Sequence, residues 1–124
     1  MESERVVLAS FIAVTFAFLT ALLIAIDWAA ANGRLRRNHF VGIRTPSTTR
    51  SDRAWIAGYR AALRLMPLHL LTGIGVLAAV LFTRTVAGLN VVGLSGAVVF
   101  VLVAVFTGIV ASRAAKASEG RSGN

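Results

Sequence analysis

The sequence contains no cysteine, two prolines, two histidines and five acidic residues among 124. Each scarcity removes a class of chemistry. Without cysteine there is no disulfide framework, no thiolate metal site and no thiol nucleophile. The carboxylates are badly placed for acid–base work, since Glu2, Glu4 and Glu119 lie in the terminal segments and only Asp27 and Asp52 are interior. His39 and His69 stand far apart with no acidic cluster between them, a poor metal signature. His69 reads either as a proton-sensitive group or as a histidine hydrogen-bonded to a neighbouring helix or to interfacial water. Neither a Gly-x-Ser-x-Gly elbow nor a phosphate-binding P-loop occurs. The pattern specifies no enzyme, no cofactor and no metal, and a non-enzymatic role is expected.

What the chain does have is apolar length. Hydrophobic residues make up 56% and charged residues 15%, which is not the composition of a soluble domain. Three stretches carry no charge: residues 6–26, 65–83 and 85–112. A bilayer core of about 30 Å needs about 20 helical residues, so all three are long enough to span. Helices are required, because an open strand leaves backbone groups unpaired in lipid. The expected fold is therefore all-α. It has three transmembrane helices in a single domain over residues 1–124, with spans at about 6–28, 66–84 and 91–112. A connector with an amphipathic helix occupies 33–65, preceding the second span, and a disordered tail covers 116–124. The first apolar run is too long for the core of a cleaved signal and follows Glu2 and Glu4 rather than a basic cluster. Ala29-Ala30-Ala31 does resemble a small-residue cleavage site.

The net charge of +8 would suggest nucleic acid in a soluble protein, but its placement gives a different explanation and no nucleic-acid partner is expected. Eight arginines (34, 36, 37, 44, 50, 53, 60 and 64) lie between the first two spans, and Arg113, Lys116 and Arg121 follow the third. Arg5 and Arg84 are the basic side chains of the other side. The positive-inside rule then predicts a multi-pass protein of the plasma membrane with its N-terminus outside and its connector and C-terminus in the cytoplasm.

Local signals fill in this frame. Gly33 suits the residue that ends helix 1, and Trp28 suits the membrane boundary. Ala9, Ala13, Ala17, Ala21 and Ala25 recur every four residues, and Gly93, Ala97, Ala104 and Gly108 share a face of helix 3; both rows predict close helix packing, within the chain or in a homo-oligomer. Thr49-Arg50-Ser51-Asp52 fits a capping box with Thr49 as the cap. Beyond it, Trp55, Tyr59, Ala62 and Met66 fall on one helix face and Arg50, Arg53, Arg60 and Arg64 on the other. Two readings stay open: the aromatic stripe faces the acyl chains while the arginines meet anionic headgroups, or it packs on protein. Pro67 should start or kink the second span. Asp27, at the end of the first apolar run, is either paired, with Arg34 or Arg44 as candidates, or faces headgroup water.

The connector is the most distinctive part. Gly42 permits a tight turn, and Pro46 holds Thr45 extended. Arg44 is placed beside the hydroxyls of Thr45, Thr48 and Thr49, where it binds an anionic group or docks on the following helix by pairing with Asp52. Asn38, Gly42, Ile43, Arg44, Thr45, Pro46, Thr48, Ser51, Asp52, Trp55 and Arg60 stand at the spacing of the motif of the SdpI family of small bacterial integral membrane proteins. The chain resembles that family here, over about a fifth of its length. Ser47 stands where the family has an aromatic, and Tyr59 where it has a histidine. The resemblance implies an immunity protein against a secreted peptide toxin, combined with signal transduction through a cytoplasmic regulator held at the membrane. It makes the motif residues candidates for partner binding, Arg44 and Asp52 shaping the loop, Trp55 anchoring it and Arg60 presenting charge. A small subunit or module of a membrane transporter or complex is the alternative.

The topology has a direct test, helped by the absence of native thiols. A single cysteine placed in the connector should resist an impermeant maleimide added to intact cells and react once the membrane is opened. Labelling from outside would reverse the assignment.

Overall fold

Residues 2–38, 42–43 and 45–122 are described by the computed structural model. They form four helices: α1 (Glu2–Ala31), α2 (Asp52–Arg64), α3 (Met66–Phe82) and α4 (Val86–Ser122). No proline or glycine interrupts α1, and Glu2 and Glu4 in its first turn complement the positive end of the helix dipole. The helix ends on Gly33, at φ +74°. The Gly33 amide donates to the Ala30 carbonyl and the Arg34 amide to that of Ala29, the paired bonds of a Schellman terminus. α1 and α4 are each long and apolar enough to cross a membrane, and α2 with α3 qualifies as a third crossing if that bent pair is one span. With 17 residues, α3 alone is about 25 Å long and slightly short of the hydrocarbon thickness. The break at Leu65, followed by Pro67, is where the missing proline amide predicts it.

The chain divides into two compact units. The first contains residues 2–21 of α1 with 67–103. Its core joins Ile12 and Phe16 of α1, Val76 and Val80 of α3 and Leu89 of α4, with Phe100 at its edge. The Phe16 and Phe100 rings meet edge to face at 6.0 Å. Around this thin core, Phe11, Leu71, Leu81, Phe82 and Leu94 point outward, largely exposed. So much contiguous apolar surface is what a lipid-solvated exterior requires and a soluble monomer avoids.

Close packing here does not follow the expected alanine row. Ala9 and Ala13 are half-buried, whereas Ala17 and Ala21 are exposed. Large side chains of α1 and α3 provide the knobs, and glycines of α4 provide the holes. A Cβ at Gly96 would come within 2.6 Å of Val76 Cγ2 and 3.0 Å of Phe16 Cζ, and one at Gly93 within 3.3 Å of Ile12 Cδ1. Of the predicted α4 row, Ala97 is exposed. Two buried polar atoms of this unit, Thr20 Oγ1 and His69 Nδ1, have no hydrogen-bond partner among the described residues. The expected helix-to-helix bond of His69 is thus not made through Nδ1; its ring packs against Phe100 at 5.0 Å.

The second unit contains residues 22–66 and 104–122. Ala30, Ala31, Trp55 and Tyr59 form its core, backed by Ile26, Leu35, Ile43, Ile56 and Leu63. The small-residue run 29–31 is thus helix, and two of its members are core. Trp55, Tyr59, Ala62 and Met66 are all buried, so the aromatic stripe of α2 packs on protein; Arg53, Arg60 and Arg64 are exposed. α2 begins at Asp52 behind an Ser51 cap, two residues later than the predicted Thr49 cap, because the Ser51 hydroxyl takes the Ala54 amide at 3.0 Å. α4 continues through Lys116 to Ser122, where composition predicts a disordered tail. Ala111 and Ala115, just ahead of that extension, are fully buried, and within it Glu119 accepts from the Ser51 hydroxyl. Packing decides the helix here, where composition alone favours disorder. Ala25 and Ala104, members of the two predicted rows, are exposed.

These contacts separate two glycines. Gly96→Leu should cost about 2 kcal/mol or more through overpacking, whereas Gly108→Leu, with nothing within 4 Å of its new Cβ, should be neutral. Thermal melting in detergent micelles, followed by circular dichroism, measures both.

Candidate functional site

The motif residues of the connector converge on one loop of the second unit, held by hydroxyl groups. Gly42 sits at φ +100°, a conformation that side chains disfavour. A Cβ there would also run into the Tyr59 phenol and meet Trp55 Cη2 at 3.5 Å. Glycine is therefore required twice, by the backbone and by the space. The next amide, of Ile43, donates to the Tyr59 hydroxyl, and the Ile43 carbonyl accepts from Thr48 Oγ1 at 2.8 Å.

Thr45 and Thr48 then cap a single turn reciprocally. The Thr45 amide donates to Thr48 Oγ1 at 3.1 Å and the Thr48 amide to Thr45 Oγ1 at 3.2 Å. This is a capping-box arrangement with threonine at both positions. Pro46 occupies the position after the cap, where its missing N–H costs nothing. The Thr49 amide and hydroxyl both donate to the Thr45 carbonyl, at 3.1 and 2.9 Å. Ser112 of α4 donates to Thr45 Oγ1 at 2.7 Å, tying the loop to a residue 67 positions away. Thr48 is fully buried, so its hydroxyl works as a structural junction.

Trp55 and Tyr59 form the platform beneath. Their rings lie 4.8 Å apart, and the indole Nε1 donates to the Leu35 carbonyl at 3.0 Å. Trp55 thus anchors the connector at its start while Tyr59 anchors it at Ile43. Tyr59 lies on α2, outside the three apolar segments, and burial pushes its hydroxyl up to about 12, so it stays protonated throughout the physiological range. On the rim, Arg37 donates to the Thr49 carbonyl at 2.9 Å and lies 3.5 Å from Asp52. Both side chains are substantially exposed, so the pair fixes orientation more than it stabilises. Asn38 donates to the Arg36 carbonyl at 2.9 Å. Together these groups border a half-open cleft of about 380 Å³ lined by Gly33, Leu35, Arg36, Arg37, Asp52, Trp55 and Ile56. Two guanidiniums, one carboxylate and an indole edge suit the side chains of a peptide or protein surface.

Several expectations change here. Arg44 and His39 lie outside the described residues, so the predicted docking of Arg44 does too. Asp52 is paired with Arg37 instead, and it is 84% exposed in the first turn of α2, after the cap rather than part of it. Asp27 is buried in the second unit at 5% exposure, so it does not face headgroup water. Its candidate partner Arg34 lies over the Trp28 ring at 4.8 Å, and no ion pair to Asp27 is present among the described residues. Arg60 is exposed and stands apart from the loop's hydrogen bonds. Ser47 is buried with Thr48. Arg37, Ser112 and Glu119 were not singled out as functional. Tyr59, one of the two residues that depart from the pattern the motif resembles, proves to be a central acceptor; its signal was its place one turn after Trp55 on the apolar face of α2.

Tyr59→Phe keeps the ring and removes the acceptor for the Ile43 amide. It should destabilise the protein by about 1–3 kcal/mol and speed tryptic cleavage at the connector arginines. Melting and timed proteolysis in micelles check the two effects.

With this geometry in view, comparison with known proteins points to one family. The profile of the SdpI/YfhL protein family matches residues 34–112, more than half of the chain and all of the loop. No curated protein and no solved structure matches.

Proposed function

This chain belongs to the SdpI/YfhL family, and we propose that it is a non-enzymatic membrane protein of the bacterial plasma membrane that confers immunity to a secreted peptide toxin and signals through its connector. In this reading the N-terminus is outside, and the connector and C-terminus are cytoplasmic, a topology that the distribution of arginines supports. The observation that carries the reading is where the motif residues act. Gly42, Ile43, Thr45, Thr48, Ser51 and Trp55 all shape or hold one loop. They aim no nucleophile or base at a cavity. A segment with this much side-chain bonding presents a fixed surface, and a fixed surface serves recognition. The surface presented is the cleft of Arg36, Arg37, Asp52 and Trp55, and a protein regulator is its partner.

A second reading, a small subunit of a transporter or larger complex, draws on the exposed small residues Ala17, Ala21, Ala25, Ala97 and Ala104, which leave faces of α1 and α4 open to close helix contact. Crosslinking in native membranes separates the two: a stoichiometric permease partner favours the second.

Deleting the gene should sensitise cells to a peptide toxin or alter transcription of a linked operon, and Arg36→Ala with Arg37→Ala should reproduce the transcriptional effect without loss of protein from the membrane. Wild-type behaviour of the deletion strain across a broad toxin panel and in transcript profiles would remove the immunity and signalling roles together.

A further inference from the structure

A second groove of the same unit lies between α2 and α4, separate from the motif cleft. Its volume is about 330 Å³, and its polar lining includes three arginines: Arg60 and Arg64 from α2 and Arg121 from α4. Its floor is made of small side chains, among them Ala61, Ala114 and Ala117. Residues far apart in sequence thus bring three guanidiniums around a depression with no side chain large enough to fill it.

Like charges gathered this way repel unless an anion joins them. The acids of this unit are committed elsewhere: Asp52 lies against Arg37, Glu119 accepts from Ser51, and Asp27 is buried. No carboxylate lines the groove, and none of the three arginines has an ion-pair partner among the described residues. Planar guanidiniums around a shallow apolar floor match the tetrahedral oxygens of a phosphate group, which each arginine can engage through two N–H bonds. Arg64 is the last residue of α2, and the apolar run of α3 begins two residues later. One end of the groove is therefore next to the chain's entry into the bilayer, and lipid phosphate is the phosphate at hand.

We propose that Arg60, Arg64 and Arg121 form a binding site for the phosphate of an anionic phospholipid headgroup. The proposal rests on reading this unit as lying at the membrane face, and it deepens that reading by naming a ligand class for residues outside the loop. Arg60, the motif residue that takes no part in the loop's hydrogen bonds, acquires a role in this site.

The test uses the purified full-length chain in nanodiscs and micelles, where binding is measured without reference to topology or immunity. Lipid retention is read by native mass spectrometry with phosphatidylglycerol against phosphatidylcholine. Phosphatidylglycerol should be retained preferentially, and each of Arg60→Gln, Arg64→Gln and Arg121→Gln should weaken retention about fivefold. The charge-matched changes Arg50→Gln, Arg53→Gln and Arg113→Gln, at exposed positions outside the groove, should leave it unchanged. Equal loss in both sets would reduce the effect to bulk charge and overturn the site. Absence of a phosphatidylglycerol preference would overturn it as well, and displacement of the lipid by millimolar inorganic phosphate would assign the groove to soluble phosphate and overturn the lipid source. Immunity or signalling failing while this preference holds would refute the functional reading alone.

Discussion

The second unit depends on how closely two helical backbones approach. At Gly58, a Cβ would lie 3.2 Å from the carbonyl oxygen of Ala111 and 3.0 Å from the Thr48 methyl. Hydrogen at that position lets α2 rest on α4 and lets the connector rest on both. Ala54, Ala62, Ala111 and Ala115 continue the narrow contact, all of them at most 1% exposed. In a lipid-facing protein, where apolar surface gains little by leaving one apolar neighbour for another, such tight backbone contact is a main source of helix association. The positions of Trp55, Tyr59, Thr48 and Ser112 follow from it. So does the groove between Arg60, Arg64 and Arg121, whose alanine floor belongs to the same narrow interface.

Scarcity of acid shapes the rest. With five carboxylates against thirteen basic residues, the protein cannot neutralise its arginines internally. Asp52 lies against Arg37 and Glu119 against Ser51, beside each other at the start of α2, while Arg36, Arg53, Arg60 and Arg64 are exposed. The same distribution that suggests a topology thus leaves basic surface for partners. The structure divides that surface between a mixed cleft beside the motif and a purely basic groove along α2.

Much of this was legible in the residues. Long uncharged runs, a glycine after the first of them, and a proline at the head of another favour helices through elementary constraints, and helices cover all three runs, although α4 starts at Val86, ahead of the expected 91. The amphipathic spacing of Trp55, Tyr59, Ala62 and Met66 was equally readable, since burial follows helical period. What was not readable depended on partners distant in sequence. The cap moved from Thr49 to Ser51 because Thr49 was needed by Thr45. The helical tail was hidden because it continues from a buried stretch at Ala111 and Ala115 and is tied through Glu119 to Ser51, far away in sequence. The alanine row of α1 is engaged within the chain at Ala9, which packs on the core, and exposed at Ala17, Ala21 and Ala25, because small residues mark close packing without saying which helix supplies the knob. At the loop, the motif announced importance, but nothing local indicated that Ser112 would close the network.

Most of the hydrogen bonds that hold the connector come from alcohols, a phenol and an indole, with Arg37 and Glu119 adding charged contacts at its rim. Neutral dipoles at hydrogen-bond distance are hardly touched by dissolved ions, whereas exposed charges weaken as the Debye length falls from about 10 Å at 0.1 M salt to about 3 Å at 1 M. A rise in ionic strength would therefore leave much of the loop's outline intact while dimming the attraction of the guanidiniums around it. Shape and pull are governed separately in this protein, and the ionic strength of its surroundings can adjust one without disturbing the other.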